Sequence, residues 1–262
     1  MKISIIGAGA MGGAMADGLL DAGVFTATDM TIADPATAVS ERFNAKGVHT
    51  TTDNKAAASG ADIVAVVVKP WLVQTVIEEI KPVLAPDRQL LIVIAAGVKA
   101  DSLRQWLGDD SKQPIPLFLV IPNTAIAVRS SMTFIVPFDA SQAQTATVVN
   151  MFSAVGMALV TEERLLAAGT TLASCGIAYA MRYVRAAVEG GVEIGFKAKD
   201  AQTIVLQTVK GAVNLLQSTG NNPETEIDKV TTPGGVTIKG LNEMEHAGFT
   251  SAVIRGLKAG MK

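Results

Sequence analysis

The stretch of sequence that decides the fold is Ile3-Ser4-Ile5-Ile6-Gly7-Ala8-Gly9-Ala10-Met11-Gly12. Its mostly apolar first four residues predict a short β-strand, and its glycines follow the spacing G-x-G-x-x-G. Residues 10–22 have methionines and leucines on one face and predict a helix that starts at the glycines. A glycine-rich turn between a strand and a helix is the context in which this motif binds the pyrophosphate of a dinucleotide.

Each of the three glycines of the motif has a predicted structural role. Gly7 permits the tight turn off the strand, Gly9 lets the backbone approach a pyrophosphate, and Gly12 allows the helix to pack close to the strand. A structural turn without a ligand is the alternative, because glycine-rich turns are common. The strand–turn–helix context favours binding. The residues of this loop predicted to contact the cofactor are Gly7, Ala8, Gly9, Ala10, Met11 and Gly12.

An acidic residue lies at the position where a dinucleotide site of this type binds the adenosine ribose. Asp34 ends a predicted strand at 30–33, 22 residues after Gly12. A carboxylate there accepts hydrogen bonds from the adenosine ribose hydroxyls and repels a 2′-phosphate. No Lys or Arg lies between Lys2 and Arg42, so the sequence favours NADH over NADPH. The alternative is that Asp34 only caps the helix predicted to follow it.

Strand and helix patterns alternate over the first 160 residues. Residues 62–68 form a nearly continuous β-branched run, which is typical of a strand buried on both faces of a parallel sheet. Further strands are predicted at 30–33, 90–95, 117–121 and 132–136, and helices at 36–46, 71–80 and 102–107. This alternation predicts an α/β fold whose N-terminal part is a Rossmann-type doubly wound sheet with right-handed crossovers.

Two strand ends are predicted to face the cofactor, because ligands of such sheets bind at the carboxyl edge. Val68, Lys69 and Pro70 end the strand at 62–68, although an ordinary solvated strand end also explains Lys69. Ala95 and Ala96 end the next strand along the chain. Their small side chains would let the nicotinamide ribose come close.

The pattern changes near residue 160, where strand-like runs stop. We therefore predict two domains, a dinucleotide-binding domain over 1–160 and an all-α dimerisation and substrate domain over 161–262. Helices are predicted there at 162–195, 199–218, 236–246 and 250–261. Apolar residues cover most of the circumference of the second helix, and such a helix must be buried. One small domain cannot easily surround two such helices, which predicts a homodimer through this half, open to assembly into a larger homo-oligomer.

Composition excludes several classes of protein. Of the 262 residues 49% are hydrophobic, so a buried core is expected and disorder is not. The formal net charge of -2 leaves no basic footprint for nucleic acid. The single cysteine, Cys175, cannot form a disulfide within the chain, which predicts a reducing, cytoplasmic location. No signal peptide, membrane span or metal site is predicted.

A set of motifs spread over nearly the whole chain is typical of one enzyme family. The motifs are loop 7–12, Asn54, Val68-Lys69-Pro70, Pro122-Asn123, Ala178-Tyr179, and a C-terminal signature that runs from Asp228-Lys229-Val230-Thr231-Thr232-Pro233-Gly234-Gly235-Val236-Thr237-Ile238 through Gly240-Leu241 to Glu245-His246-Ala247-Gly248-Phe249. In this order and spacing they resemble the pyrroline-5-carboxylate reductase family. That family reduces the cyclic imine 1-pyrroline-5-carboxylate to proline with NADPH or NADH. The signature is long and specific, whereas the glycine loop occurs in many dinucleotide-dependent reductases.

The resemblance implies roles for residues of both domains. Asn54 and Val68-Lys69-Pro70 are implied in cofactor binding. A loop like 231–237 holds the substrate carboxylate, and a threonine matching Thr237 lies beside the imine, which makes Thr237 the implied catalytic residue. The other implied substrate contacts are Cys175, Thr231, Thr232, Gly234 and Gly235. Physical chemistry agrees, because Pro-Gly-Gly can start a helix whose free backbone amides bind an anion.

The chain departs from the family pattern at three places. Ser174-Cys175-Gly176-Ile177-Ala178 replaces the usual Gly-Ser-Gly-Pro-Ala, so Cys175 stands where a serine faces the substrate. Leu119-Val120-Ile121 precedes Pro122-Asn123 in place of a segment with arginine and methionine. Trp71 follows Lys69-Pro70, where a glutamine or histidine is frequent.

Three other functions are alternatives to this imine reductase. A dehydrogenase of the β-hydroxyacid type shares the two-domain plan but requires a lysine on the helix that joins the domains. No lysine occurs between Lys112 and Lys197, which argues against it. A reductase of a related imine and a non-catalytic dinucleotide-binding homologue are the remaining alternatives, motivated by the departures. The intact loop 231–237 argues against the non-catalytic one.

Overall fold

The computed structural model describes residues 1–108 and 114–261. The chain divides into two compact units, Met1–Ser174 and Cys175–Lys262. The strands all belong to the first unit: β1 (Ile3–Ile6), β2 (Met30–Ala33), β3 (His49–Thr51), β4 (Ile63–Val66), β5 (Leu90–Val93), β6 (Leu117–Ile121), β7 (Ser131–Phe138) and β8 (Gly156–Val160). The helices of the same unit are α1 (Ala10–Asp21), α2 (Thr37–Asn44), α3 (Asn54–Ser59), α4 (Val73–Ile80), α5 (Ala100–Leu107), α6 (Gln142–Ser153) and α7 (Glu163–Gly169).

The strands form one sheet in the order β3-β2-β1-β4-β5-β6-β7-β8. β1 to β6 pair in parallel, β7 runs antiparallel to β6, and β8 pairs in parallel with β7. The order of the first six strands is that of the dinucleotide-binding Rossmann fold, so the fold class predicted from the sequence is confirmed. The strand order reverses between β1 and β4, and the carboxyl edge at that point is where such sheets bind ligands.

Helices cover both faces of this sheet. Ile5 lies in a core cluster with side chains of α1, α2 and α6, and Ile6 lies in a second cluster with α4, α5 and α7. Neighbouring residues of a strand point to opposite faces, so a strand covered on both sides must be apolar at every position. β4 and β5 satisfy this rule with fully buried runs. β1 breaks it at Ser4, whose buried hydroxyl has no hydrogen-bond partner in the described part of the chain.

Two helices and two strands of the first unit were not predicted from the sequence. β3, α3 and β8 have three to six residues, which are too few to establish a periodicity, and α6 carries mixed polar and apolar residues. The helix predicted at 162–195 is divided into α7 and a later helix by a π-helical segment, Thr170–Ser174. Thr170 marks this irregularity, since its hydroxyl donates to the Leu166 carbonyl oxygen at 2.7 Å.

The first unit extends beyond the domain boundary predicted at residue 160. Helix α7 buries Leu166 in the second core cluster, and a Cβ added to Gly169 would lie 2.9 Å from the Phe134 ring of β7. The carbonyl oxygen of Pro122 accepts a hydrogen bond from the Ser174 hydroxyl at 2.7 Å. These contacts attach residues 163–174 to the sheet, although their sequence is helical.

The second unit is helical throughout its described part. Its helices are α8 (Gly176–Glu193), α9 (Ala198–Thr219), α10 (Pro223–Lys229), α11 (Val236–His246) and α12 (Phe249–Ala259). The helices predicted at 199–218, 236–246 and 250–261 correspond closely to α9, α11 and α12, whereas α10 was not predicted. α8 and α9 pack together where Gly191 meets Ala201, which is the one residue of these five helices that is buried. None of the described helices is long and apolar enough to span a membrane.

Candidate active site

The glycine loop lies at the end of β1 and begins α1. Gly7 has a φ of 91°, a conformation that favours glycine, and a Cβ there would lie 2.5 Å from the Val67 carbonyl oxygen. Its amide donates to the Ala33 carbonyl oxygen at 2.8 Å, so the loop continues the pairing of β1 with β2. A Cβ on Gly12 would lie 2.0 Å from the Gly7 carbonyl oxygen. The backbone therefore requires glycine at both positions.

Gly9 differs from its neighbours because nothing lies within 4 Å of the place its Cβ would take. Internal packing therefore does not require glycine there, and the backbone is open to an approach from outside the protein. Gly9 is also the N-cap of α1, which has no side-chain cap and no acidic residue in its first turn. The first amides of the helix are thus free to bind an anion, and this open cradle fits a dinucleotide pyrophosphate.

Asp34 follows β2 and accepts two backbone hydrogen bonds. Its Oδ2 accepts from the Ala8 amide of the glycine loop at 2.8 Å, and its Oδ1 accepts from the Ala36 amide at 2.9 Å. The carboxylate braces the loop against the end of β2, a role that the sequence did not reveal. It does not cap α2, whose N-cap is Ala36 without a side-chain hydrogen bond. A carboxylate has about four acceptor positions, so two remain for other donors.

Two cationic side chains on and just after α2 are held by other groups. Arg42 and Lys46, on and just after α2, both form ion pairs with Asp17 of α1. The Arg42 guanidinium also lies over the Phe43 ring, 4.7 Å from its centroid. In this arrangement both cations are directed to α1 and the Phe43 ring.

Asn54 begins α3, whose N-cap Asp53 accepts from the Ala56 amide at 3.0 Å. The side-chain amide of Asn54 donates to Glu79 Oε2 of α4 at 2.8 Å. This bond fixes the Asn54 side chain and ties α3 to α4. The cofactor role that the resemblance implies for Asn54 stays a prediction.

The ends of β4 and β5 lie at the same carboxyl edge. Val68 packs against the glycine loop, since its Cγ1 is 2.7 Å from the position of a Gly7 Cβ. Lys69 and Pro70 are exposed, and Pro70 opens a 3₁₀ turn that leads to α4. Ala95 is buried and Ala96 is exposed at the end of β5. The structure thus brings the predicted cofactor residues of four strand ends to one edge.

A buried polar group after β6 was missing from the predicted site residues. The Asn123 amide donates to Ser131 Oγ at 3.1 Å, and its side-chain oxygen accepts from the Ala125 amide at 3.0 Å. Its side-chain nitrogen lies 3.4 Å from the Ala173 carbonyl oxygen. Asn123 therefore holds three segments at the carboxyl edge. The Pro-Asn pair of the resemblance was the available signal, and this anchoring role explains its position.

Loop 231–237 of the second unit forms a turn that begins α11. The Gly235 amide donates to the Thr232 carbonyl oxygen at 3.0 Å, and Gly234 has a φ of 70°. Pro233 followed by a glycine with positive φ is typical of a type II turn. A Cβ on Gly235 would lie 2.4 Å from Thr232 Oγ1 and 3.0 Å from the Thr232 carbonyl oxygen, so a larger residue would force the Thr232 side chain to move. α11 begins directly after this turn, and no side chain caps its N-terminus.

The free N-terminus of α11 is the feature of this loop that can bind an anion. Val236 is 86% exposed, and Thr237 lies in the first turn, half-buried. Thr231 is not a free donor, because its hydroxyl donates to the Ile227 carbonyl oxygen at 2.7 Å. Cys175 is half-buried at the N-cap of α8. The predicted substrate residues thus belong to two segments of the second unit, the α11 loop and the start of α8.

The helix before this loop contains a paired acid. Lys229 Nζ and Asn221 Nδ2 each donate to Glu226 Oε1 at 2.7 Å. The Lys229 ammonium, followed by the Asn221 amide, holds the pKa of the Glu226 carboxyl below its usual range. In the described residues, no group of three or more His, Cys, Asp or Glu side chains could hold a metal ion.

Comparison with known proteins identifies the family of the chain. Residues 163–262 match the family described as pyrroline-5-carboxylate reductase dimerisation, and residues 2–97 match that described as NADP oxidoreductase coenzyme F420-dependent. A pyrroline-5-carboxylate reductase of Methanosarcina acetivorans is 34% identical over 97% of this chain and 94% of that protein. The chain belongs to the pyrroline-5-carboxylate reductase family.

Other members of the family agree. The Arabidopsis thaliana pyrroline-5-carboxylate reductase is 31% identical over 100% of this chain and 93% of that protein. Pyrroline-5-carboxylate reductase 1 of Dictyostelium discoideum is 37% identical over 97% of this chain, which spans about half (48%) of that longer protein.

Solved structures of the family share the fold. The Streptococcus pyogenes 1-pyrroline-5-carboxylate reductase has a TM-score of 0.87 and 28% identity, and the match covers 100% of this chain and 96% of that one. The Plasmodium falciparum pyrroline carboxylate reductase, solved with NADP bound, has a TM-score of 0.90 at 24% identity and covers 100% and 95%. The predicted Rossmann domain followed by a helical dimerisation domain is the architecture of this family.

Proposed function

We propose that this protein reduces 1-pyrroline-5-carboxylate to proline, with NADH or NADPH as the hydride donor. The observation that supports the proposal most directly is the Pro233-Gly234-Gly235 turn, which leaves the N-terminus of α11 uncapped in a chain that belongs to this family. Together with the open cradle at Gly9, the chain offers one anion site for a cofactor and another for a substrate carboxylate.

Residues at the carboxyl edge of the sheet bind the cofactor in this proposal. The loop Gly7, Ala8, Gly9, Ala10, Met11 and Gly12 holds the pyrophosphate through backbone amides. Asp34 uses its remaining acceptor positions for the adenosine ribose, which favours NADH, and Asn54 lines the same half. Val68, Lys69 and Pro70 flank the cofactor, and Ala95 and Ala96 leave room for the nicotinamide ribose. The bound dinucleotide supplies the hydride.

Residues of the second unit bind the substrate. The amides that begin α11, with Thr232, Gly234 and Gly235, hold the carboxylate in place of an arginine. Thr231 shapes the turn through its bond to Ile227, and Cys175 occupies the place of the family's serine. The Thr237 hydroxyl forms a hydrogen bond with the imine nitrogen and positions the ring.

The reaction requires little acid–base chemistry from the protein. The hydride adds to the carbon of the C=N double bond, the electron pair of that bond moves to nitrogen, and a proton on nitrogen completes the secondary amine of proline. A protonated imine is already electrophilic, so positioning provides most of the catalysis. This agrees with the two histidines of the chain, since His49 and His246 are both exposed and neither is needed as a base.

The activity assay tests this reaction directly. The protein is mixed with pyrroline-5-carboxylate and either NADH or NADPH, and the loss of reduced cofactor is followed by absorbance. We expect turnover with both cofactors and a preference for NADH. No turnover with either cofactor at high enzyme concentration would refute the reaction. Turnover restricted to a larger cyclic imine would assign the substrate change to the departures around Cys175.

The role of Thr237 has its own test. Thr237→Ala should lower kcat/KM by roughly 10²-fold, a typical cost of losing one transition-state hydrogen bond, and leave NADH binding unchanged. Thr147→Ala is the matched control, because Thr147 is half-buried like Thr237, lies on α6 of the first unit, and donates its hydroxyl to the Ala143 carbonyl oxygen at 3.0 Å. Equal rates for the two variants would remove Thr237 from the mechanism.

We also propose a homodimer through the C-terminal helices. The match to a dimerisation family and the exposed apolar side chains of α9, such as Ile204 and Leu215, support it. A domain boundary near residue 161 agrees with the start of that match, although the compact unit runs to Ser174. Light scattering tests the assembly, and a monomer would contradict it. A cytoplasmic location is proposed from the single cysteine, and localisation by fluorescent fusion tests it.

A further inference from the structure

Trp71 presents an exposed aromatic ring at the edge where ligands of this fold bind. Its side chain is 74% exposed, in the 3₁₀ turn Pro70–Leu72 that follows β4. Single exposed apolar residues are common on protein surfaces, so exposure alone does not mark a site. The position of Trp71 does suggest a ligand site, because the carboxyl edge at the reversal of strand order is the ligand-binding edge of the sheet.

The turn that holds Trp71 is fixed from both sides. Upstream, the Val67 amide donates to the Ile6 carbonyl oxygen at 2.8 Å, so the end of β4 stays paired with the end of β1 beside the glycine loop. Within the turn, the Leu72 amide donates to the Lys69 carbonyl oxygen at 2.9 Å. Downstream, Val73 is fully buried and anchors α4. The backbone beneath the indole is thus held in place before any ligand arrives.

The turn is linked to the half of the sheet that ends in Asp34. The helix that follows Trp71 is α4, and the Asn54–Glu79 hydrogen bond ties α4 to α3. α3 in turn packs against β1, β2 and β3. Asp34 at the end of β2 marks where an adenosine ribose would bind. α4 packs against α5 as well, so these contacts connect the turn that holds Trp71 to the adenosine half of the edge, and the choice between the two rings of the cofactor rests on their chemistry and on the binding test below.

The nicotinamide and adenine rings of the cofactor need different surroundings. The nicotinamide end must exclude water during hydride transfer and suits the small Ala95 and Ala96 at the end of β5. The adenine end takes no part in the chemistry and needs only a flat apolar surface. An indole ring that is three-quarters exposed provides such a surface at the rim of the site.

We propose that Trp71 stacks on the adenine ring of the bound dinucleotide and contributes to cofactor affinity. This rests on the proposed use of NADH or NADPH, and it assigns a role to a residue that differs from the family pattern. Replacing a stacked aromatic residue with alanine weakens base binding by about tenfold or more. Because every dinucleotide cofactor has the same adenine, NADH and NADPH should weaken by the same factor.

Binding measurements without substrate test the proposal. Trp71→Ala should weaken NADH and ADP-ribose by about tenfold and leave reduced nicotinamide mononucleotide, which lacks adenine, unchanged. Trp71→Phe should recover much of the affinity, because it restores an aromatic face. Leu72→Ala is the matched control, since Leu72 is the next residue and is 45% exposed. It should bind all three ligands as the unmodified protein does.

Fluorescence provides a second measurement. Trp71 and Trp106 are the two tryptophans, and Trp106 packs against the core beneath α5. In a Trp106→Phe background, NADH should quench the emission of Trp71 strongly, and ADP-ribose should shift it. An unchanged NADH affinity in Trp71→Ala would overturn the proposal. An equal loss for the mononucleotide would also overturn it, because the ring would then face nicotinamide. Normal NADH binding without turnover of pyrroline-5-carboxylate would refute the proposed reaction alone.

Discussion

Asp34 offers a test that separates a structural role from a role in cofactor choice. Its two carboxylate oxygens accept from the buried amide of Ala8 and the exposed amide of Ala36. Alanine at this position removes both acceptors and the charge. Asparagine also removes the charge but keeps one oxygen. That oxygen can serve the Ala8 amide while the new NH₂ group turns toward the solvent side.

The burial of Ala8 determines how much stability the loss of the Asp34 carboxylate should cost. Ala8 is 2% exposed, so water cannot easily replace a lost acceptor, and an unsatisfied buried amide costs about 1–3 kcal/mol. At Ala36 water replaces the acceptor at little cost. Asp34→Ala should therefore lower the free energy of unfolding by about 2 kcal/mol, which corresponds to a Tm lower by roughly 4–8 °C for a chain of this size. Asp34→Asn should lose about half as much.

Cofactor preference should respond differently, because it depends on the charge. A carboxylate about 4 Å from a phosphate repels it by about 1–2 kcal/mol in a water-like medium, or roughly tenfold in binding. Both variants should raise the ratio of kcat/KM for NADPH to that for NADH by about tenfold. The assays are thermal unfolding of the free protein and initial rates with each cofactor. A lower Tm with an unchanged ratio would refute the ribose role, and an unchanged Tm in Asp34→Ala would refute the brace.

Two further predictions concern the packing of the first unit. Gly12→Ala should weaken NADH binding at least about tenfold, because its Cβ would lie 2.0 Å from the Gly7 carbonyl oxygen. Gly60→Ala is the control and should bind NADH normally, because the space around Gly60 is open. Equal NADH affinities of the two variants, measured by titration, would contradict the packing role of Gly12. Ser4→Ala should leave the free energy of unfolding unchanged or raise it by up to about 1 kcal/mol, since the Ser4 hydroxyl lacks a partner in the described residues. Ser131→Ala should lower the free energy of unfolding by about 1–2 kcal/mol, because it removes the hydrogen bonds of a buried hydroxyl. Denaturant unfolding compares the two variants, and a clear loss of stability in Ser4→Ala would contradict the prediction.

The sequence determined the class of fold and showed the glycine loop of the candidate cofactor site. The spacing of Gly7, Gly9 and Gly12 is recognisable because it lies between a predicted strand and a predicted helix, although the backbone that requires glycine at Gly7 is that of Val67, which follows β4. Continuous apolar runs predicted β4 and β5, because a strand covered on both faces has no polar position. The C-terminal signature predicted the family. These features depend on neighbours in the chain or on periodicity, so they can be detected without coordinates.

Other features depend on contacts between residues far apart in the chain, and only the tertiary structure decided them. The Asp34 carboxylate reaches Ala8 across 26 positions, and Ser174 reaches Pro122 across 52. Residues 163–174 read as a helix of the second domain, yet Leu166 and Gly169 pack on the sheet. A helical pattern states that one face is buried but not against which partner. The glycine loop was visible in the sequence; the carboxylate that braces it became visible only when β1 and β2 lay side by side.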